Sequence, residues 1–573
     1  MFELLLLTAI TWLAYWGALK NGFVSDDIDA ICNYEGEFRG WNYGNITKWI
    51  FYKLFQKDPW RNHFFSILMH NANTILLYLL LTNFFSIEIS LYTSILFSIH
   101  PLGTQAIAWI SARGYPIGLF WMLLAFNLVQ MFSPMSVLFT GNILAFCAVT
   151  ILFSLIYFLG VHAQFAVMMT FPIYIFLGNY YPALIGLVIS SVMSLDIVRE
   201  TIGIRAKVFK QQAMGESTKF TPSRLVIVAK SAWYYVQMCF FPKRMGLYHV
   251  YGYHYSPEML KQDHMFWKGI ITLSVLCAGL IWGPFLVKFA IIWFLSYIFI
   301  FLNWITIHQF VSERYCYIPS IAVCLVAAAV LVHVPVIFAF VVGVLIMRTW
   351  AHLPTYEDEV PFYQSNIWNF PQSEVAFTNL GVTYVKRGLI GSAMDMWLIS
   401  LKINADYDVA HYNISSTLKT QGQLKQSFEH LKKAVECPSC HFKEIWTKEL
   451  AALEHEIQYK EAVDGLYKGL SKIKDDNKFK PQADAIKKKL EELQTIHKQI
   501  EEGQKKQVQV MQQKEKELQS QLIDVQKGQD DLKKPIPIEE LVKLRDNQFN
   551  ALVNEFSQIM DNNKEEKKDE QGN

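Results

Sequence analysis

The sequence predicts an all-α protein in which a multi-pass helical membrane domain precedes a charged, soluble helical part. No Asp, Glu, Lys or Arg occurs in the 82 residues from Gly114 to Leu195, about four times the roughly 20 apolar residues that cross a bilayer. By contrast, 51 of the 102 charged residues (52 basic and 50 acidic) fall between His441 and Asn573. A single soluble domain is therefore excluded, because no water-soluble core contains so long an uncharged stretch.

The membrane domain is predicted to cover residues 1–350. The first apolar run, from Met1 to Leu19, contains one acid, Glu3, and lacks a small-residue cleavage site, so we expect a retained anchor. Division of the later uncharged runs at Pro, Gly and polar residues gives about 11 crossings. These runs cover residues 64–87, 89–112, 114–195, 269–287, 289–312 and 315–347.

Two membrane orientations fit the charges. The loop from Asp196 to Arg224 carries six basic residues, and the positive-inside rule alone assigns it to the cytoplasm. An odd number of spans from a cytoplasmic N-terminus instead puts this loop and the C-terminal part outside, provided that residues 225–241 lie along the interface. We favour the second layout because it fits the family resemblance given below.

Residues 371–440 are predicted to form two tetratricopeptide repeats after a linker at 351–370. The first repeat is indicated by the spacing of Leu380, Gly381, Tyr384, Ala393 and Trp397. The second is indicated 34 residues later by Ile414, Ser415, Leu418, Ser427, Leu431 and Ala434. In such repeats the small residues let two helices approach, and the large residues fill the seam between neighbouring helices.

The C-terminal tail is predicted to be helical and rich in Lys, Glu and Gln. Residues 441–530 form a charged helical region with a weak coiled-coil pattern, 531–560 a short amphipathic helix and 561–573 a disordered end. Acids match the basic residues of the tail, and the net charge is only +2. Nucleic acid is therefore not an expected partner, whereas a protein complex through these helices is.

Two adjacent acids, Asp26 and Asp27, open the polar first loop. Either both are solvated loop acids, or one accepts a proton from an incoming hydroxyl while the other orients it. Since adjacent side chains of an extended chain point apart, the two are not expected to play one role. Together with Asp29 they could also hold a divalent cation.

Cationic and polar side chains interrupt the apolar sequence at two further places. His100 and Arg113 bracket a segment between two spans, and His308, Glu313 and Arg314 lie where a later span ends. An arginine at such a place suits an anionic phosphate, because its guanidinium stays charged and forms paired hydrogen bonds. The alternative is that each residue anchors a helix end or snorkels toward water.

A single redox-like motif, CPSCH from Cys437 to His441, has the spacing of a c-type haem attachment site. No other redox feature accompanies it. Chance, or a disulfide between Cys437 and Cys440, therefore explains the motif better than haem at Cys437, Cys440 and His441.

Seven segments follow one another along residues 21–435. They are NGFVSDDIDAI, NHFFSILMHNANTILLYLLL, HPLGTQAIAWISARG, FAVMMTFPIYIFLGNYYP, FTPSRLVIVAKSAWYYVQMCFFPKRMGLYH, SERYCYIPSIA and the two repeats. In this order they resemble the transmembrane and tetratricopeptide-repeat O-mannosyltransferases and their bacterial relatives in the glycosyltransferase C superfamily. Where that family has a lysine before the middle span, this chain has His162 and Gln164, and its Gln-rich tail has no counterpart there.

The resemblance implies a sugar, mannose in this family, carried on a polyprenyl phosphate and transferred to Ser or Thr of a protein. It implies that Asp26 or Asp27 is the catalytic base, that His100 and Arg113 border the cavity, and that Arg314 faces the donor phosphate. His308 and Glu313 are expected to contribute to the same donor site. The repeats would then lie outside a bacterial inner membrane or an endoplasmic reticulum membrane and hold a polypeptide acceptor.

The predicted function is therefore a polyprenyl-phosphate-dependent protein O-glycosyltransferase. An inverting transfer needs a base for the acceptor hydroxyl and cationic stabilisation of the departing phosphate, and it does not require a metal. The alternative is a non-catalytic membrane scaffold that keeps a transferase-like fold and binds protein partners through its repeats and helical tail.

Overall fold

In the computed structural model the chain is all-helical, with 83% helix and no strand among the residues that are described. The described residues are 1–37, 43–132, 142–200, 222–247, 264–304, 311–437, 440, 442–473, 481, 483–496 and 498. The predicted all-α fold class is confirmed.

The N-terminal part forms helices that we number in chain order. They are α1 (Phe2–Tyr15), α2 (Tyr43–Phe55), α3 (Pro59–Leu81), α4 (Ile87–Ile99), α5 (Gly103–Ala108), α6 (Gly114–Met131), α7 (Ile143–Ala163), α8 (Phe171–Phe176), α9 (Tyr180–Glu200), α10 (Pro222–Phe240), α11 (His264–Trp282), α12 (Phe285–Ile298), α13 (Ser320–Leu331) and α14 (Pro335–His352). Short 3₁₀ or π-helical turns extend several of these helices.

Within the described ranges, five helical stretches are long and apolar enough to cross a membrane. They are Phe2–Lys20, Pro59–Leu81, Ile110–Met131, Ile143–Val161 and Pro335–Tyr356. Seven further apolar helices are shorter, at 10–17 residues. The membrane character of this part is thus supported, while the central residues of the basic loop, 201–221, lie outside the described residues.

Local sequence signals set the ends of the helices around the first loop and the segment after α4. Asp58 caps α3 by accepting a hydrogen bond from the backbone N–H of Trp60, and Pro59 occupies the first turn, where its missing N–H costs nothing. The helix α4 ends before Pro101, and His100 takes the extended conformation that a residue before proline prefers. A short irregular segment therefore runs from His100 to Arg113 between two longer helices.

Buried polar side chains connect the helices of this part. His70 on α3 donates through Nε2 to the carbonyl of Ser98 at 3.0 Å and accepts through Nδ1 from the Tyr317 hydroxyl at 2.7 Å. Asn73, one turn further, donates to the carbonyl of Pro116 at 2.8 Å. Because such groups are costly to bury without partners, these bonds fix how α3 lies against α4 and α6.

The C-terminal helices follow a short 3₁₀ turn at Leu353–Tyr356. They are α15 (Glu359–Asn369), α16 (Glu374–Lys386), α17 (Ile390–Ile403), α18 (Asp408–Thr420), α19 (Leu424–Glu436) and α20 (Lys443–Ile473). The chain divides into two compact units, Met1–Ile414 with Glu436–His441, and Ser415–Val435 with Phe442–Asn573.

Two helix pairs occupy the predicted repeat positions. In α16 and α17, Trp397 is buried and donates through its indole N–H to the carbonyl of Thr378 at 3.1 Å. In the second unit, Ser415 and Ser427 each donate a hydroxyl hydrogen bond to the other's carbonyl at 2.8 Å. A buried indole thus joins the helices of the first pair and two serines join those of the second, and the assignment as tetratricopeptide repeats stays a prediction.

We expect Gly381→Ala to destabilise the α16–α17 pair by about 1–3 kcal/mol, the usual cost of overpacking. A Cβ atom at Gly381 would collide with the indole ring of Trp397. Gly391→Ala on α17 is the matched control, because a Cβ there meets nothing within 4 Å. Hydrogen exchange read by mass spectrometry should show faster exchange in α16 and α17 for the first variant only; equal exchange in both variants would contradict this packing.

The second unit contains the long helix α20 and a small apolar cluster. The cluster consists of Leu466, Ile486, Leu490 and Leu493. Of the predicted region 441–530, the structure describes residues 442–473, 481, 483–496 and 498, and all of the regions 531–560 and 561–573 lie outside the described residues.

Candidate functional site

The acidic turn of the first loop places its two neighbouring aspartates in different environments. Asp26 and Asp27 open a helical turn that continues as a π-helical turn at Ile28–Cys32, so the expectation of an extended chain here is wrong. Ser25 precedes them with a φ of 54°, an uncommon left-handed conformation for a residue other than glycine. Asp26 is exposed, whereas Asp27 is completely buried.

The Asp27 carboxylate is held by the segment that follows α5. Its Oδ1 accepts from the backbone N–H of Ser111 at 2.7 Å and from the Ser111 hydroxyl at 2.5 Å, and its Oδ2 accepts from the Val24 N–H at 3.4 Å. Burial raises the pKa of Asp27 to about 6, while the hydrogen bonds from Ser111 and Val24 act in the opposite direction. Asp27 therefore connects the first loop to residues 84 positions later.

We expect Asp27→Asn to flatten the pH dependence of stability. Because burial raises the pKa of Asp27 from its ordinary value of 3.8 to about 6, its contribution to stability is present below about pH 4 and is lost as pH rises through 6. The loss amounts to about 3 kcal/mol at neutral pH. An amide oxygen can still accept from Ser111, so the variant should gain stability over the wild type between pH 4 and 7 in thermal unfolding scans. A difference that stays constant over this range would contradict the prediction.

Asp26 lines an open cleft of about 210 Å³ between the acidic turn and the helices α15 and α16. The cleft is mainly polar, with carboxylates, hydroxyls, an amide and one lysine. Its polar side chains are those of Ser25, Asp26, Asp29, Glu359, Tyr363, Asn379, Thr383 and Lys386. Lys386 pairs with Glu359 at 3.1 Å across the cleft wall. Such a surface offers Asp26 to a hydroxyl group that enters from solvent.

Arg113 lies at the aspartate end of the site. Its guanidinium donates to the Asn62 side-chain oxygen at 2.9 Å and lies 4.0 Å from the centre of the Phe51 ring. It lies two residues after Ser111, which binds the Asp27 carboxylate. The predicted role of Arg113 at the border of a donor cavity stays a prediction.

Arg314 lies in an aromatic and polar surrounding. Its guanidinium carbon is 4.9 Å from the ring centre of Trp109 and 5.2 Å from that of Tyr315, and the hydroxyls of Tyr115 and Tyr315 approach it. Its backbone N–H donates to Gln105 Oε1 at 2.7 Å. The side chain is therefore positioned by α5 and by its own 3₁₀ turn.

Three buried N–H donors around Arg314 have no hydrogen-bond partner among the described residues. They are Gln105 Nε2, Trp109 Nε1 and Arg314 Nη1. A buried donor without a partner costs about 1–3 kcal/mol, so three in one group are unusual unless a ligand satisfies them. Unpaired N–H donors on residues that contact Arg314 favour an anion at this place. We call these three residues the donor cluster.

One short segment connects the donor cluster to the acidic turn. Gln105 and Trp109 contact Arg314, and two residues later Ser111 binds Asp27. An anion at the cluster and a hydroxyl near the acidic turn would thus be held by the same stretch of chain.

The remaining predicted site residues have other surroundings. His100 accepts through Nδ1 from the Leu102 N–H at 3.3 Å, and its Nε2 bonds the Cys239 carbonyl at 3.0 Å, so both ring nitrogens serve the fold. Glu313 is buried, accepts from the N–H of Gly246 and lies 3.8 Å from His352 Nε2. His308 lies outside the described residues.

The possible metal and haem sites have no assembled ligand set among the described residues. No group of three His, Cys, Asp or Glu there could hold a metal ion, and Asp27 faces away from the exposed Asp26 and Asp29. Cys437 and Cys440 are both buried and do not form a disulfide, and burial raises the pKa of Cys437 to about 12. His441 lies outside the described residues.

Several side chains of the site were not singled out from the sequence. Gln105, Trp109 and Ser111 lie inside the segment HPLGTQAIAWISARG. The signal in the sequence that could have pointed to them is a glutamine four residues before a tryptophan in apolar surroundings, a spacing that puts both on one helix face. Gln164, which stands where the resemblance expects lysine, approaches the hydroxyl of Tyr115, next to Arg314. The departure from the family pattern thus lies beside the donor cluster.

No family model, curated protein or solved structure matches this chain. What the site can do is therefore inferred from its own residues.

Proposed function

We propose that this protein is a membrane glycosyltransferase that moves a sugar from a polyprenyl-phosphate donor to Ser or Thr of a protein. The sugar is mannose if the family resemblance holds. The observation that carries the proposal is the donor cluster, three buried and unpartnered N–H donors centred on Arg314. Satisfying them by an anion explains an arrangement that is otherwise costly.

The phosphate of the donor would occupy the cluster. Arg314 supplies a fixed positive charge, while Gln105 and Trp109 supply neutral donors. As the bond between the sugar and the phosphate oxygen breaks, negative charge grows on the departing polyprenyl phosphate. Donors that are already oriented stabilise this charge without having to reorganise, which lowers the barrier.

The acceptor hydroxyl would enter through the cleft beside α15 and α16. Asp26 is an exposed carboxylate that lines this cleft together with Asp29 and Glu359, and it takes the hydroxyl proton as the oxygen bonds to the sugar carbon. Asp27 is buried and already accepts three hydrogen bonds, so it holds the acidic turn against Ser111. The two acids then have separate roles, base and positioning residue.

A polypeptide acceptor fits the composition of this cleft. Asn379 on α16 carries an amide that can hydrogen-bond a peptide backbone, and Lys386 adds a positive charge. On this proposal α16 and the helices after it act as tetratricopeptide repeats on the non-cytoplasmic side of a bacterial inner membrane or the endoplasmic reticulum membrane. The transmembrane helices keep the lipid donor within reach.

The experiment is a transfer assay with the purified full-length chain in nanodiscs. Radiolabelled mannosyl-phosphoryl polyprenol is supplied with a Ser/Thr peptide, and a peptide with Ala at those positions is the matched control. We expect label in the first peptide only, released by mild alkali as an O-linked sugar. Absence of transfer by correctly inserted protein, with donors of several chain lengths, would overturn the proposal.

One observation favours a second function, a non-catalytic scaffold. The helix α20 has 31 residues and exposes large apolar side chains, Ile445 and Tyr467, each about half exposed. Exposed apolar side chains on a charged helix suit a protein partner. If the scaffold is the function, deletion of residues 442–573 removes the partners that co-purify with the chain, and Asp26→Asn leaves cellular phenotypes unchanged.

A further inference from the structure

An open groove of about 770 Å³ lies between the first and the last candidate membrane spans. Its walls come from α1, the 3₁₀ turn Trp16–Lys20 that extends α1, and α14 with its following turn. The apolar part is lined by Trp12, Leu13, Trp16 and Trp350, and the polar end by Lys20 and Glu357. The groove is separate from the donor cluster and from the acidic cleft, which share none of these residues.

Hydrogen bonds between the two walls hold the groove in shape. Trp350 donates through its indole N–H to the Leu13 carbonyl at 3.0 Å, and the Asn21 side chain donates to the Leu353 carbonyl at 3.1 Å. The N–H of Gly22 donates to the Glu357 carbonyl at 3.0 Å. Since three bonds fix the separation of the walls, a ligand would enter a preformed groove and would not have to order it.

The side chains of the groove have the character of a membrane interface. Trp16 is 61% exposed and Trp350 is 46% exposed, although both are large aromatic residues. Tryptophan is enriched where a span meets the headgroup region, because its ring is apolar and its N–H is polar. Both walls belong to stretches long and apolar enough to span a bilayer, so an acyl chain is the occupant expected for the apolar part.

The two charges at the polar end determine which headgroup fits. Lys20 and Glu357 are both exposed, and neither forms an ion pair with any residue in the described part of the chain. An ammonium group binds a phosphate, and a carboxylate accepts hydrogen bonds from an amine. A headgroup with one phosphate and one primary amine matches both, whereas an anionic headgroup without an amine leaves Glu357 facing negative charge.

We propose that this groove binds a phospholipid with a primary-amine headgroup, of the phosphatidylethanolamine class. The phosphate lies at Lys20, the amine at Glu357 and one acyl chain along Trp12, Trp16 and Trp350. The lipid then bridges the first and the last spans beside the start of the acidic loop. This binding does not depend on the transfer reaction.

The test uses the full-length chain in detergent micelles with defined amounts of phosphatidylethanolamine, phosphatidylcholine or phosphatidylglycerol. Bound lipid is counted by native mass spectrometry, and Tm is followed as lipid is added. We expect phosphatidylethanolamine to bind about fivefold more tightly than the other two lipids, and Lys20→Glu to remove this preference. Lys57→Glu, the same change at an exposed lysine of the first loop outside the groove, should leave it intact.

The charge-swapped double variant Lys20→Glu with Glu357→Lys gives the sharpest outcome. It keeps one charge of each sign in the groove, so it should recover most of the preference that Lys20→Glu loses. Equal binding of the three lipids by the wild type, or an unchanged preference in Lys20→Glu, would overturn the proposal. Both outcomes are read without a transfer assay, so failure here is distinct from failure of the glycosyltransferase proposal.

Discussion

Replacement of Asp26 by Asn is expected to lower the rate of sugar transfer by about 10²- to 10⁴-fold, the usual contribution of a general base. Asp26 is one of two exposed carboxylates of the acidic turn and borders the cleft into which the acceptor would enter. Asn has nearly the same shape but cannot take up a proton. Because the side chain is exposed, we expect Tm to change little, and the loss should appear in kcat and not in donor binding.

Asp29→Asn is the matched control for this prediction. Asp29 lies three residues further along the same turn, borders the same cleft and accepts a hydrogen bond from Asn33 at 2.8 Å. Its replacement should change the rate of transfer less than threefold. An Asp26→Asn variant that keeps the wild-type rate, or an equal loss in both variants, would remove Asp26 as the base.

Arg314→Lys is expected to lower kcat/KM by about 10²- to 10³-fold, the effect of removing one preorganised donor from a developing negative charge. Lysine keeps the positive charge but loses the planar fork of donors and the stacking on Trp109. The variant should also retain less radiolabelled polyprenyl phosphate in a filter-binding assay. This second readout separates a binding defect from a defect in the chemical step.

Arg348→Lys provides the control for a general effect of losing an arginine. Arg348 on α14 donates to the backbone carbonyls of Pro242 and Lys243, so its role in the structure is to hold a loop. We expect the change to lower Tm slightly and to leave donor retention intact. If both arginine variants lose donor retention equally, the donor cluster is not the phosphate site.

The fold class could be predicted from the sequence because membrane helices leave a strong compositional signal. An 82-residue stretch without a charged residue admits few structures other than apolar helices. The lengths of the individual helices are harder to predict. Helix α4 ends at a proline signal, whereas its neighbour α3 continues for 23 residues. A 34-residue period in the sequence predicts the positions of the two repeats, and the structure has helix pairs at those positions.

The candidate site could be predicted only as a set of residue types. Asp26 and Asp27 are identical neighbours in sequence, and their difference in exposure arises from contacts with Ser111, which lies 84 residues from Asp27. The sequence predicts an extended chain at this place, but the structure has a helical turn that follows Ser25 in a left-handed conformation. The conformation of a single residue leaves no periodic signal in the sequence, so it could not be predicted. Gln105 and Trp109 are recognised as candidate ligands only because their buried side-chain N–H groups have no hydrogen-bond partner among the described residues.

The hydrogen bonds of Asn21 and Gly22 also constrain biosynthesis. The Asn21 side chain binds a carbonyl 332 positions later, so this anchor of the first loop forms only after the last candidate span has been synthesised, whereas the contacts of Asp27 with Ser111 need only 84 further residues. At about 5–20 residues per second, the nascent chain waits roughly 15–70 s for this contact. A product terminated before Leu353 keeps the contacts of Asp27 with Ser111 but lacks the second anchor of the first loop at Asn21.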